Sequence, residues 1–155
     1  MMELDIVTFG QVKEKYMVEL INDYKKRISK FAKINFIELK DEPLRDSVNR
    51  VLELEGAKLE EVLKNAKYVV VLDIDGKNIT SEQLASKLDE IFTYNSNKIT
   101  FVIGGSYGIL QSLKDKCNFK LSFSKMTFPH QFMKGILLEQ IYRSFKILNN
   151  ESYHK

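Results

Sequence analysis

The chain has 155 residues, of which 44% are apolar and 29% are charged, and its formal net charge is +3. This length and composition predict one folded domain over residues 1–155 and exclude an intrinsically disordered chain. The single cysteine, Cys117, excludes an intramolecular disulfide framework and a zinc site built on several thiolates, so we expect no metal.

Strand-like and helix-like apolar periods alternate along the chain. The predicted strands cover residues 3–9, 34–39, 68–73, 99–103 and 119–123. The predicted helices cover residues 14–30, 45–65, 80–94, 110–116 and 131–148, with turns at Lys40–Pro43 and at Asp75-Gly76. Thr80-Ser81-Glu82 supplies the capping chemistry for the third helix.

This alternation with short connections predicts an α/β fold with a parallel sheet and helices on both faces. The N-terminus has no basic segment followed by a long apolar one, and the apolar runs are far shorter than the roughly 18 residues typical of a membrane span. We therefore expect a cytoplasmic protein without a membrane partner.

Ligands of open parallel sheets bind beyond the carboxyl ends of the strands. Three such ends begin unusual loops, at residues 72–76, 104–108 and 123–130. The glycines of Gly104–Gly108 let a ligand approach the backbone, although the same pattern also suits a tight turn without a ligand.

The glycine loop also reads G-x-S-x-G between a strand and a helix, the context of a serine hydrolase nucleophile. Ser106, Asp115 and His130 follow in the matching chain order. Against this hypothesis, the chain has little room for a lid and an oxyanion loop, and Asp115 falls inside a predicted helix rather than after a strand.

Charge and apolar surface are concentrated towards the C-terminus. Residues 1–110 carry a net charge of −2 and residues 111–155 a net charge of +5, so the C-terminal third is either a polyanion contact or a solvated face. The last helix has more apolar residues than a half-buried stripe needs, which suits a homodimer face or an ordinary buried core helix. These apolar residues are Phe132, Met133, Ile136, Leu137, Ile141, Phe145 and Leu148.

Several ordered motifs together resemble the RlmH family, the small SPOUT-class methyltransferases that act on ribosomal RNA. The motifs are Lys13–Tyr16, Glu55-Gly56, 72–77, 101–108, 121–131, 138–143 and Tyr153-His154-Lys155. The most specific of them is the stretch 121–131, which reads LSFSKMTFPHQ. The resemblance extends over essentially the whole chain.

The resemblance implies a SPOUT fold with a C-terminal trefoil knot, a homodimer, and S-adenosylmethionine (SAM) as methyl donor. It implies methylation of N3 of a pseudouridine in 23S rRNA on assembled ribosomes. The implied cofactor-binding residues are Leu72, Gly104, Phe123, Ser124, Lys125, Met126, Thr127 and Phe128. The candidates for the catalytic group are His130, Arg143, Tyr153 and His154, the last lying in a tail that can equally be frayed.

We expect a composite site in which one subunit holds SAM while the other presents basic residues and its tail. The chain departs from the family at Lys134, where an arginine is usual, and at Tyr107, where a small or polar residue is usual. Lysine does not replace a bidentate arginine. The alternative function is therefore a non-catalytic module that binds ribosomes or RNA and has lost turnover.

Overall fold

Strands and helices alternate strictly through the computed structural model, which describes residues 1–154. The strands are β1 (Glu3–Phe9), β2 (Lys33–Leu39), β3 (Val69–Asn78), β4 (Lys98–Val102) and β5 (Phe119–Ser122). The helices are α1 (Lys15–Ile28), α2 (Val48–Leu63), α3 (Ser81–Tyr94), α4 (Gln111–Lys116) and α5 (His130–Leu148). Lys155, the end of the predicted C-terminal motif, lies outside the described residues.

The five strands form one sheet in the order β2-β1-β4-β3-β5, and every pairing is parallel. The predicted parallel α/β sheet is confirmed. Because β4, β3 and β5 are neighbours, the loops that follow β4 and β5 lie beside residues 72–76 of β3.

Helices cover both faces of this sheet. On one face, α1, α3 and α5 bury a core with Ile21, Leu88, Ile141 and Phe145 among its members. On the other face, α2 and α4 pack Leu59 and Leu113 against valines of β1, β3 and β4. The alternating apolar residues of the strands supply both cores, as expected for a sheet buried on two sides.

The third strand differs from the sequence-based expectation. The predicted turn at Asp75-Gly76 is wrong, because β3 continues to Asn78. Its pairing with β5 shifts between Leu72 and Lys77, which both align with Leu121, so the residues between them form a bulge at the sheet edge. A side chain at Gly76 would lie 2.8 Å from the backbone of Lys120, and this close approach explains the glycine.

The third helix begins as the sequence predicts. The Thr80 hydroxyl accepts a hydrogen bond from the Gln83 amide, and the Gln83 side chain accepts one from the Thr80 amide. This capping box fixes the point at which the chain leaves the β3 bulge and enters α3.

Candidate functional site

A cavity of about 630 Å³ lies beyond the carboxyl ends of β4 and β5 and against the bulge of β3. The cavity is lined by residues of the three segments predicted from the sequence, 72–76, 104–108 and 123–130, and by the start of α5. The volume lies within the range of roughly 300–1,000 Å³ that is usual for small-molecule sites. Apolar side chains form much of the wall, namely Leu72, Ile103, Ile109, Leu121, Phe123 and Met133.

In the glycine turn after β4, main-chain atoms of Gly104, Gly105 and Gly108 line the cavity. A Cβ atom at Gly104 would lie 2.8 Å from Cγ1 of Ile109 and 3.0 Å from the carbonyl carbon of Gly108. Gly108 has a φ of +85°, and its amide donates to the Gly105 carbonyl at 3.1 Å. The turn is therefore compact, and any side chain at Gly104 would displace it.

The loop after β5 is held by hydroxyl hydrogen bonds. The Ser122 hydroxyl lies 3.1 Å from the carbonyl oxygens of Ile74 and Ser124, and the Met126 amide donates to the Ser124 hydroxyl at 3.0 Å. These bonds tie the loop to the bulge of β3 across the cavity. Seven of the eight implied cofactor residues line the cavity: Leu72, Gly104, Phe123, Ser124, Met126, Thr127 and Phe128. Lys125 is exposed and is not among the lining residues.

Three charged residues that were not among the predicted site residues also line the cavity: Asp73, Asp75 and Lys114. Asp73 and Lys114 form an ion pair at 3.3 Å, and their side chains are only 7% and 17% exposed. The Asp73 carboxylate also accepts the Asp75 amide at 3.2 Å. The sequence indicates Asp73 as a possible site residue, because it stands at the end of a buried apolar run. Nothing in the sequence indicates that Lys114 lies beside it.

The buried carboxylate of Glu55 packs against the glycine turn. Glu55 of α2 is 4% exposed, and one of its oxygens accepts the Glu42 amide at 3.0 Å. The other oxygen is buried without a partner and lies 3.0 Å from the position of a Cβ at Gly105. Burial raises the pKa of this carboxyl group.

The four candidates for the catalytic group lie in two places. His130 lines the cavity at the first residue of α5. Arg143 comes thirteen residues later on the same helix, a rise of about 20 Å, and Tyr153 and His154 lie beside it. Within one chain, therefore, the structure brings three candidates together and separates them from the fourth.

Three of the candidates form a cluster near the end of α5, which we call the tail cluster (Arg143, Tyr153 and His154). Nε of Arg143 donates to Glu139 at 2.8 Å, and this contact raises the pKa of the guanidinium. A terminal nitrogen of Arg143 lies 3.0 Å from Nδ1 of His154, and Nε2 of His154 contacts Glu82. Arginine can only donate, so Nδ1 accepts and Nε2 carries the imidazole proton in this arrangement.

Tyr153 joins the tail cluster to the aromatic side chains of α1 and α5. Its ring centroid lies 4.9 Å from that of Tyr142, in an edge-on arrangement, and the Arg143 guanidinium lies 4.9 Å above it. Burial and the neighbouring Tyr153 raise the pKa of Tyr24 to about 12, so Tyr24 stays neutral at physiological pH. The tail is packed onto α5 and is not frayed at Tyr153 and His154.

The serine hydrolase arrangement is not formed. Asp115 accepts hydrogen bonds from Lys120 at 2.9 Å and from Gln111 at 2.8 Å. No hydrogen bond joins Ser106, Asp115 and His130, all three of which the structure describes. Ser106 is an exposed residue of the glycine turn, so the G-x-S-x-G pattern here marks a tight turn at the cavity mouth.

The two departures from the family pattern lie in different surroundings. Lys134 is 4% exposed, and its ammonium lies 4.3 Å from the ring centroid of Phe36. Burial lowers the pKa of Lys134, and the residue does not line the cavity. Tyr107 is 42% exposed in the glycine turn and also lies outside the cavity lining.

Much of the positive charge of the C-terminal third is neutralised within the chain. Lys114, Lys120, Arg143 and Lys146 pair with Asp73, Asp115, Glu139 and Glu151, respectively. Lys134 is buried, and Lys155 lies outside the described residues. Within residues 1–154, Lys116 and Lys125 are the exposed cations of this third that no carboxylate approaches within 4.0 Å.

Residues 1–154 contain neither a metal-binding cluster nor a helix that could span a membrane. No group of three or more His, Cys, Asp or Glu side chains is arranged to hold a metal ion. None of the described helices has the length and apolar character needed to cross a membrane.

Residues 2–154 match a family described as "Predicted SPOUT methyltransferase". Relatives from Methanococcus maripaludis and Acetivibrio thermocellus are 46% and 45% identical over 159 aligned residues, covering 99% of this chain and 100% of each relative. Both names include "ribosomal RNA large subunit methyltransferase H", and the Methanococcus name marks the assignment as provisional.

A solved structure has a similar fold. It is a probable methylase family protein from Haemophilus influenzae, with a TM-score of 0.59 and 14% sequence identity. The match covers 98% of this chain and 70% of the other. At this identity the likeness bears on the fold alone.

Proposed function

The chain belongs to the SPOUT methyltransferase family and, within it, to the RlmH group of ribosomal RNA methyltransferases, and we propose that it uses SAM to methylate N3 of a pseudouridine in 23S rRNA. The observation that carries this proposal is the cavity of about 630 Å³ between the bulge of β3 and the loops that follow β4 and β5. It is lined by seven of the eight residues that the family resemblance implies for the cofactor.

The cavity suits SAM in size and chemistry. Its apolar wall can cover an adenine ring, while the backbone of the glycine turn can approach a ligand because Gly104 has no side chain. Asp73 and Lys114 offer one carboxylate and one ammonium to the polar groups of the ligand. In this assignment, Leu72, Gly104 and the loop 123–128 hold the methyl donor.

When bound, SAM would supply an electrophilic methyl group on positively charged sulfur, and Leu72, Gly104 and the loop 123–128 would hold it in the cavity. The protein has to hold the nucleobase in line with that group, and positioning of this kind can supply much of the rate enhancement. The proton of N3 would leave to solvent or to the imidazole of His130 or His154. A guanidinium such as that of Arg143 stabilises the anionic base.

We propose that two protomers build each site. His130 and the tail cluster are about 20 Å apart along one α5 helix, so one chain does not bring them together. A homodimer in which the tail cluster of one protomer faces the cavity of the other would do so. Exposed apolar side chains on α1 and α5 support such an interface, namely Tyr16, Leu20, Phe132 and Ile136.

The trefoil knot is part of the same proposal. After β4 the chain passes through α4 on one face of the sheet, adds β5 at the edge, and continues into α5 on the other face. In this arrangement α5 packs against both α1 and α3. The knot, the dimer and the cofactor are all implied by the family resemblance.

Transfer of labelled methyl from SAM would test the proposal. The substrates are intact ribosomes, isolated large subunits and naked rRNA, all from a strain lacking this enzyme, and the labelled nucleotide is identified by mass spectrometry. We expect incorporation into intact ribosomes at N3 of a pseudouridine. A folded protein that binds SAM but transfers no methyl group to any of the three would contradict the proposed substrate. A folded protein that does not bind SAM would contradict the enzyme and favour the RNA-binding module.

A further inference from the structure

Positive charge is concentrated at the end of α1. Five basic residues occur between positions 25 and 33, and no acidic residue occurs between Asp23 and Glu38. All five are exposed, and we call them the α1 basic end: Lys25, Lys26, Arg27, Lys30 and Lys33.

Most of this charge is not neutralised by the protein. Arg27 pairs with Asp23 at 3.1 Å. Within residues 1–154, no carboxylate lies within 4.0 Å of the other four ammonium groups. The α1 basic end thus differs from the C-terminal third, where most described cations are paired or buried.

The helix dipole explains only part of this cluster. Cations in the last turn of a helix are favoured by the partial negative charge at its C-terminus. That accounts for Lys25, Lys26 and Arg27. Lys30 and Lys33 lie beyond the end of α1 at Ile28, so the helix dipole does not account for these two cations.

A chain of cation–aromatic contacts links the α1 basic end to the tail cluster. The Arg27 guanidinium lies 5.6 Å from the ring centroid of Tyr24 and 5.7 Å from that of Tyr142. Tyr142 packs edge-on against Tyr153, and Arg143 lies above Tyr153. Cations interleaved with aromatic rings are typical of surfaces that bind nucleic acid.

We infer that the α1 basic end binds phosphates of the rRNA substrate and thereby positions the target nucleotide near the tail cluster. This inference rests on the proposed function, which supplies the identity of the polyanion. Contacts of this kind fix the register and orientation of the nucleic acid without reading its sequence. The net charge of the C-terminal third therefore does not mark the main phosphate-binding surface.

A double variant tests the inference with a control matched in charge. Lys26→Gln/Lys30→Gln removes two cations from the α1 basic end. Lys67→Gln/Lys116→Gln removes two other exposed lysines, one before β3 and one at the end of α4. The measurements are cosedimentation with intact ribosomes over a range of salt concentrations, methyl transfer to those ribosomes, and SAM affinity.

We expect the Lys26/Lys30 variant to bind ribosomes roughly three- to tenfold more weakly at about 100 mM salt. The slope of log affinity against log salt should become shallower by about 1 to 2, as for lost phosphate contacts. KM for ribosomes should rise while kcat and SAM affinity stay unchanged. The Lys67/Lys116 control should behave like wild type.

Equal binding losses in both variants, or no loss in the Lys26/Lys30 variant, would overturn the inference. Failure of the proposed function is a separate result, because it would appear as a wild-type protein that transfers no methyl group. Cosedimentation does not require turnover, so it decides the phosphate contact in that case too.

Discussion

Gly104 is the single residue on which the cavity depends most directly. An added methyl group would lie 2.8 Å from Ile109 and 3.0 Å from the backbone of Gly108, so the turn would have to move. We predict that Gly104→Ala weakens SAM binding at least about tenfold, which corresponds to about 1.4 kcal/mol. Isothermal titration calorimetry with SAM measures this directly.

Gly135→Ala is the matched control for that prediction. Gly135 is buried in α5, and an added methyl group would meet only the side chains of Leu20 and Met17, at 3.2 and 3.5 Å. Its SAM affinity should stay close to that of wild type. Equal affinities for Gly104→Ala and wild type would show that the glycine turn does not contact the cofactor.

Glu55 should make the stability of the protein depend on pH. Its pKa is raised by burial, so the folded state holds this proton more tightly than the unfolded state does. The free energy of unfolding therefore falls as pH rises from about 4.5 through the raised pKa. Glu55→Gln should remove this contribution, so its stability relative to wild type should increase with pH.

Urea denaturation at several pH values between about 4.5 and 7.5 tests this expectation. Glu60→Gln, on an exposed position of the same helix, serves as the control. A stability difference between wild type and Glu55→Gln that is constant with pH would mean that Glu55 titrates as it does in the unfolded chain.

At the scale of helices and strands, apolar periodicity predicts nearly everything about the fold. The first strand is predicted at its observed bounds, and most of the other ends differ by one to three residues. The exception is β3, where Asp75-Gly76 has the composition of a turn but continues the strand as a bulge. Local composition cannot reveal that the backbone of β5 approaches Gly76, because this contact depends on tertiary structure.

The candidate site, like the fold, is predicted from the sequence only where it depends on the order of the elements. The order of elements predicts which loops form the cavity, since carboxyl ends of parallel strands lie at one edge of the sheet. The ion pair between Asp73 and Lys114, however, joins β3 to α4 across 41 positions of sequence. The burial of Lys134 above Phe36 likewise depends on how α5 packs against the sheet, which periodicity does not specify.

The exposed face of α5 gives the element-level prediction. Ile136 is 36% exposed, and Ile136→Glu places a charge within the proposed dimer interface. We expect this variant to be monomeric by size-exclusion chromatography with light scattering, because a buried unpaired charge opposes association. Methyl transfer should be lost with the dimer.

Leu54→Glu is the control for that change. Leu54 has the same exposed fraction, 36%, but belongs to α2 on the other face of the sheet. It should leave both the oligomeric state and methyl transfer unchanged. A dimeric Ile136→Glu protein with full activity would place the subunit interface elsewhere.

At the scale of the whole molecule, the features that the proposed function assigns to catalysis lie at two ends of one helix. The cavity is at the start of α5, while the tail cluster and the α1 basic end are at its other end. Under the proposed function, a single chain therefore carries the cofactor cavity and the RNA-binding surface at positions separated by the length of the helix. A two-fold symmetric dimer, in which each chain presents its tail cluster to the cavity of the other, would bring them together at two equivalent sites.

The central claim is that each methyl-transfer site combines the cavity of one protomer with the tail cluster of the other. Methyl transfer to ribosomes by mixed dimers tests it most directly. The two protomers are Gly104→Val, which obstructs the cavity, and Arg143→Ala, which removes the guanidinium of the tail cluster. Each variant alone should be inactive. A statistical mixture of the two, formed by co-expression, should recover about a quarter of wild-type activity, because half of its dimers contain one intact composite site. A mixture as inactive as the separate variants would contradict the composite site.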